Sequence, residues 1–115
     1  MRSFLILLCC ATAAFAQTAR AELVGEVRDQ NGALISAVKV TLTEVATGQL
    51  VSREAKDGNY TITNLKPAVY NIAVEATGFK QSIREGVRLA TGERVRLDFV
   101  LGPGSITDMV TVVGN

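Results

Sequence analysis

The chain has 115 residues, of which twelve are basic and eleven acidic, and none is histidine or tryptophan. Its two cysteines, Cys9 and Cys10, both lie near the N-terminus. The near-neutral charge provides no basic surface for nucleic acid. Without histidine, triads that depend on this residue and the common zinc sites are excluded.

The first residues are typical of a secretory signal peptide. A short basic start precedes the apolar run 4–16, and Ala14-Phe15-Ala16 is a small-x-small cleavage site. The run is shorter than the roughly 20 residues that cross a bilayer. Ala19-Arg20-Ala21 is an equally good site, so the exported chain is expected to begin at Gln17 or Glu22. A start at Glu22 leaves ten basic and eleven acidic residues, a net charge of −1, and no cysteine for a disulfide.

Between Leu23 and Leu101 the sequence predicts an all-β domain. Short segments in which apolar and polar residues alternate recur about every ten residues, without a helical period of useful length. Two apolar rows that face one core imply two stacked sheets. The predicted strands are 23–28, 38–43, 50–56, 60–63, 70–76, 83–89 and 94–101.

Some of these strands carry a more detailed prediction. Segment 50–56 is mostly polar, which suits a sheet edge. Gly86 interrupts the segment around it and indicates a β-bulge. Pro67 cannot donate to a ladder, so the chain is expected to turn a corner after Asn64. Segment 94–101 is the cleanest amphipathic strand, and one strand is expected there.

Residue types that could carry chemistry mostly fit a structural role. Tyr60, Tyr70 and Phe99 lie in the apolar rows and are expected in the core, which leaves Phe79 as a possible surface contact. Asp29-Gln30-Asn31-Gly32 indicates a plain turn rather than a calcium loop. Five acidic residues alternate with apolar ones, so a solvated face explains them better than paired catalytic carboxylates. These residues are Glu26, Glu54, Glu75, Glu85 and Asp98. We therefore expect no catalytic residue, no cofactor and no metal.

The domain is expected to end at Gly102-Pro103-Gly104, because proline cannot continue a central strand. The tail beyond this point contains a short β-prone segment between Asp108 and Val113. The predicted organisation is therefore a signal peptide over 1–21, a domain over 22–101 and a tail over 102–115.

Several linked motifs between about 23 and 101 resemble the carboxypeptidase regulatory-like domain family in order and spacing. They are GEVRDQNG at 25–32, AVKV at 37–40, ATG at 46–48, DGNY at 57–60, LKPAVY at 65–70 and ATGF at 76–79. The resemblance implies a seven-stranded, transthyretin-like Greek-key β-sandwich without catalytic residues. Ala68 departs from the family pattern, which usually has glycine after the proline, and the departure concerns the backbone geometry of the corner.

A leader, one such domain and an acidic and Val/Thr-rich tail resemble the N-terminal extension of Oar-like TonB-dependent outer-membrane receptors. The tail residues Asp108, Val110, Thr111, Val112 and Val113 are then similar to a TonB box, an extended peptide that adds a strand to a partner sheet. Two other interpretations are a linker strand towards a plug and barrel, and an eighth strand of the sandwich.

The resemblance implies a non-enzymatic periplasmic accessory domain, associated with the outer membrane and with transport. Its expected partner is a TonB-like protein or a plug and barrel domain, and because neither follows within 115 residues we expect a truncated or stand-alone chain. The alternative is a self-contained secreted β-sandwich that binds polysaccharide or protein at the cell surface.

Overall fold

The computed structural model describes residues 20–105, 107 and 109–113. This part of the chain forms nine β-strands, and it contains no helix long and apolar enough to cross a membrane. The predicted leader, up to residue 19, lies outside it. The strands are β1 (Ala21–Asp29), β2 (Val38–Glu44), β3 (Leu50–Ala55), β4 (Asn59–Leu65), β5 (Ala68–Glu75), β6 (Gln81–Leu89), β7 (Arg94–Arg96), β8 (Phe99–Leu101) and β9 (Met109–Val113).

The strands form two sheets, as the alternation predicts for a β-sandwich. The smaller sheet has the order β4-β1-β7, and β8 pairs with the second half of β1. The larger sheet has the order β3-β2-β5-β6-β9. Most pairings are antiparallel, whereas β1 is parallel to both β7 and β8, and β6 is parallel to β9.

The core lies between the inner faces of the two sheets. Leu23 on β1 and Ile62 on β4 come from one sheet, and Leu42 on β2 and Ile72 on β5 come from the other; all four are fully buried. The three aromatic residues predicted to be internal are also buried. The period-two pattern therefore assigned the inner faces of these strands correctly.

Two details of the larger sheet are confirmed. Strand β3 forms one edge of the sheet, as its polar sequence predicts. In the β5–β6 pair, Tyr70 opposes Val87 and Ile72 opposes Arg84, so that two residues of β6 face one residue of β5. Gly86 occupies this bulge with a φ of 73°, a conformation that favours glycine.

The prediction of a single strand over 94–101 is wrong, because β7 and β8 are separated by two residues. At the break, the Asp98 carboxylate accepts a hydrogen bond from the Glu26 backbone N–H at 2.9 Å, where a strand carbonyl would otherwise do so. The Leu97 carbonyl turns towards the Tyr60 hydroxyl, which donates to it at 2.5 Å. A side chain therefore completes the ladder across the break.

This break and the tail strand account for nine strands where seven were expected. The corner predicted after Asn64 comes slightly later, because β4 continues to Leu65 and the chain turns at Lys66 and Pro67. Asn64, within β4, has the positive φ, 62°, found among the described residues other than glycine. Ala68 begins β5 and pairs with Leu89, so the departure from the family's glycine does not disrupt the strand.

Candidate functional site

The tail forms strand β9 at the edge of the larger sheet. Of the residues predicted to resemble a TonB box, Val110, Thr111 and Val112 lie on this strand and Val113 ends it, whereas Asp108 lies outside the described residues. The strand runs parallel to β6, with Met109 opposite Gln81. The structure thus makes the tail a further strand of the sandwich, beyond the seven segments predicted, which agrees with the interpretation given above as an eighth strand.

The side chains of β9 are largely in solvent. Met109 is 59% exposed, Val110 is 49% exposed and Val112 is 47% exposed. These apolar side chains are therefore not covered by the opposite sheet. An exposed apolar edge strand is the arrangement through which sheets accept further strands.

The segment between β8 and the tail is anchored next to Phe79. The Lys80 N–H donates to the Gly102 carbonyl at 2.9 Å, and the Gly104 N–H donates to the Gly78 carbonyl at 3.1 Å. Phe79 itself forms a β-bridge with Pro103. The Phe79 side chain is half-buried and packs against the core, so it is not the freely exposed ring that the sequence suggested.

Arg84 lies in the β6 segment that pairs with β9. Its guanidinium carbon is 5.2 Å from the centre of the Phe99 ring on β8, a cation–π distance between the two sheets. The Nε atom is buried without a hydrogen-bond partner. Arg84 is the register partner of Val112, so the two side chains project from the same face of the sheet.

A second candidate is a hollow of about 220 Å³ at the corner between β4 and β5. Its buried acidic residue is Glu44, which is 5% exposed. The Lys66 ammonium lies 3.3 Å from the Glu44 carboxylate, and the Thr47 hydroxyl donates to that carboxylate at 3.1 Å. Sequence reasoning missed Glu44, although its place two residues after the buried Leu42 gives it an inward register.

Tyr70 closes the inner side of this hollow. Its hydroxyl donates to the Lys66 carbonyl at 2.6 Å. Burial raises the pKa of Tyr70 above its ordinary value, and the neighbouring Glu44 carboxylate raises it further. The hydroxyl therefore stays protonated and serves as a hydrogen-bond donor that ties the corner together.

The carboxylates considered as possible catalytic groups are either paired with a nearby side chain or exposed on a strand. Glu26 is 2.9 Å from the Arg28 guanidinium, and Asp98 is 3.3 Å from Arg96. Glu75 accepts a hydrogen bond from the Gln81 amide at 3.0 Å. Glu54 and Glu85 are exposed on their strands. Within the part of the chain that the structure covers, no group of three or more potential metal ligands comes together.

In the turn at 29–32, the acidic residue Asp29 caps backbone N–H groups of the turn itself. The Asp29 carboxylate accepts hydrogen bonds from the backbone N–H groups of Asn31 and Ala33, at 2.9 and 3.0 Å. This arrangement is an Asx-type turn, in which a side chain replaces a backbone acceptor.

Comparison with known families agrees with this architecture. Residues 22–102 match the carboxypeptidase regulatory-like domain. The chain belongs to this family. The match covers every strand from β2 to β8 and nearly all of β1. No curated protein matches the chain significantly.

Solved structures show the same fold at low sequence identity. A proposed carbohydrate-binding protein from Bacteroides uniformis has 20% identity and a TM-score of 0.61, with 74% of this chain covering 42% of that one. A catechol 1,2-dioxygenase from Acinetobacter sp. has 10% identity and a TM-score of 0.59, and the match covers 90% of this chain and 60% of that one. The catechol 1,2-dioxygenase from Pseudomonas arvilla has 11% identity and a TM-score of 0.55, with coverages of 78% and 54%. The chain spans less than two thirds of each protein, and the likeness concerns the fold alone.

Proposed function

We propose that this carboxypeptidase regulatory-like domain is a non-enzymatic periplasmic interaction domain of a TonB-dependent outer-membrane receptor. In this role the segment 109–113 binds a partner sheet by strand addition. The partner is a TonB-like protein, or a plug and barrel domain to which the tail leads. The protein is exported and associated with the outer membrane, where it assists substrate uptake.

The observation that carries this proposal is the position of β9. The strand is already extended, it lies last in the order of the larger sheet, and the apolar side chains of Met109, Val110 and Val112 are exposed. Strand addition requires these properties, because main-chain hydrogen bonds supply affinity and alternate side chains supply selectivity. The regulatory-type family and the partnered state of the carboxylates near β1 support a binding role over a catalytic one.

Calorimetric titration of the exported chain with the purified C-terminal periplasmic domain of TonB tests the proposal. We expect binding by the wild type and by Thr111→Ala, which retains the backbone donor. Thr111→Pro fixes the backbone and interrupts the main chain in the middle of β9, so it is expected to weaken binding at least about tenfold. Equal binding by the proline and alanine variants would refute strand addition, and no binding by the wild type would refute the choice of partner.

The alternative, a secreted domain that binds polysaccharide, is favoured by two observations. A structural neighbour is a proposed carbohydrate-binding protein, and the hollow beside Glu44 carries several hydrogen-bonding groups. A glycan array tests it with Gln49→Ala, which alters this hollow, and Lys56→Ala, which alters a separate hollow of about 240 Å³. Glycan binding lost in the first variant alone would establish the alternative, whereas no binding by the wild type would remove it.

A further inference from the structure

Strand β9 is attached to β6 mainly through its main chain. Its side chains from Met109 to Val112 are all exposed, whereas the inward side chains of β5, such as Ile72 and Val74, are fully buried. Apolar burial therefore contributes much less to holding β9 than to holding the central strands.

For such a strand, the cost of ordering the backbone and the gain from its hydrogen bonds are nearly equal. Ordering one residue of backbone costs about 1–2 kcal/mol, and one intramolecular hydrogen bond contributes about 0.5–1.5 kcal/mol net. A strand held by its ladder alone can therefore leave the sheet while the core stays folded. Its departure would expose the edge of β6 between Gln81 and Glu85.

The edge of β6 contains a feature that β9 leaves unsatisfied. The Arg84 Nε atom is buried without an acceptor, and no described carboxylate forms an ion pair with this guanidinium. The neighbouring side chain on β9 is Val112, which cannot accept a hydrogen bond. A carboxylate at this position would lie on the same face as Arg84 and could accept its Nε–H as a charge-assisted hydrogen bond.

We propose that the edge of β6 is a strand-binding site, for which β9 is the internal occupant. The preferred external ligand is an extended segment of another protein, parallel to β6, with an aspartate or glutamate at the position of Val112. The charge of Arg84 selects this acidic segment, and the backbone of residues 81–85 supplies the ladder. This site is distinct from the one in the proposed function, because here the external strand pairs with β6, whereas there the partner pairs with β9.

The first test measures amide hydrogen exchange in the full-length chain by nuclear magnetic resonance. Val112→Glu is expected to slow exchange of those amides in 109–113 that bond to β6 about tenfold relative to the neutral control Val112→Gln, because a hydrogen bond to a charged group is worth more than a neutral one. In an Arg84→Met background this difference should disappear. Equal protection in the two Val112 variants, with Arg84 present, would overturn the carboxylate preference.

The second test supplies the strand from outside. The full-length Thr111→Pro chain, whose own β9 is weakened, is titrated with a labelled peptide of residues 105–115 that carries Glu at position 112. We expect this peptide to shift the amide resonances of 81–85 and to bind about tenfold more tightly than the same peptide with Gln. Absence of binding, or shifts confined to other strands, would overturn the site. Neither test uses TonB, so failure here is distinct from failure of the proposed function.

Discussion

Gly25 allows the closest approach between β1 and the segment that follows β7. A Cβ atom placed on Gly25 would lie 1.7 Å from the Leu97 carbonyl oxygen and 2.7 Å from the Tyr60 hydroxyl. Real Cβ atoms essentially never approach a heavy atom more closely than 3.0 Å, so the Leu97 backbone must withdraw by more than about 1 Å. This movement breaks the 2.5 Å hydrogen bond from Tyr60.

We therefore expect Gly25→Ala to lower the free energy of unfolding by about 3 kcal/mol, the sum of overpacking and one lost buried hydrogen bond. For a domain of this size the midpoint of thermal unfolding should fall by roughly 12–24 °C. Urea denaturation followed by circular dichroism measures the change. A domain with about 5–14 kcal/mol of stability remains folded after this loss.

The matched control is Gly102→Ala. A Cβ atom there meets only the end of the Gln30 side chain, at 3.1 Å, which can move at little cost. We expect a change within about 0.5 kcal/mol. A Tyr60→Phe background separates the two contacts at Gly25, because it removes the hydroxyl and leaves the Leu97 carbonyl in place. If Gly25→Ala and Gly102→Ala have the same free energy of unfolding, the reasoning from the close approach to Leu97 is refuted.

Three further predictions concern burial and export. Burial raises the pKa of Tyr60, so above about pH 10 the folded chain keeps a proton that the unfolded chain loses. The free energy of unfolding should therefore keep its full value below about pH 10 and fall above it. Tyr60→Phe should flatten this fall in urea midpoints measured from about pH 8 to 11. Glu44→Gln should cost about 1–2 kcal/mol in urea unfolding, because it removes the buried carboxylate that pairs with Lys66, and an equal loss in the exposed control Glu54→Gln would contradict this. Mass spectrometry of the exported chain should give Gln17 as its first residue and not Glu22, because Ala21 is 1% exposed and belongs to β1.

The sequence predicts most of the fold because alternation is a local property. The inner face of β5 follows directly from the period-two pattern, and the polar sequence of β3 predicts its edge position. The bulge at Gly86 is also visible locally, since a glycine inside a strand pattern often marks a bulge or a close approach of another backbone. These features depend on residues close together in the chain.

The break between β7 and β8 could not be predicted in this way. Alternation continues through Leu97 and Asp98, and the break exists because Tyr60 and Glu26, both distant in sequence, form hydrogen bonds there. Glu44 is a different case, because its inward register was present in the pattern but an acidic residue was not expected in the core. Its partner Lys66 lies on the next corner, and only the folded chain brings them together.

The tail shows the limit of sequence pattern most clearly. Residues 109–113 are β-prone, but their pairing with β6 depends on main-chain groups, which are alike in every residue apart from proline. Because these main-chain groups are alike, another strand could replace β9 beside β6, and the ladder alone would discriminate poorly between the two. Selectivity must then come from side chains beside the ladder, and Arg84, with its buried Nε atom unpaired, is a charged group placed to provide it. Whichever strand places an acceptor against that atom satisfies a donor that the protein's own valine leaves unsatisfied.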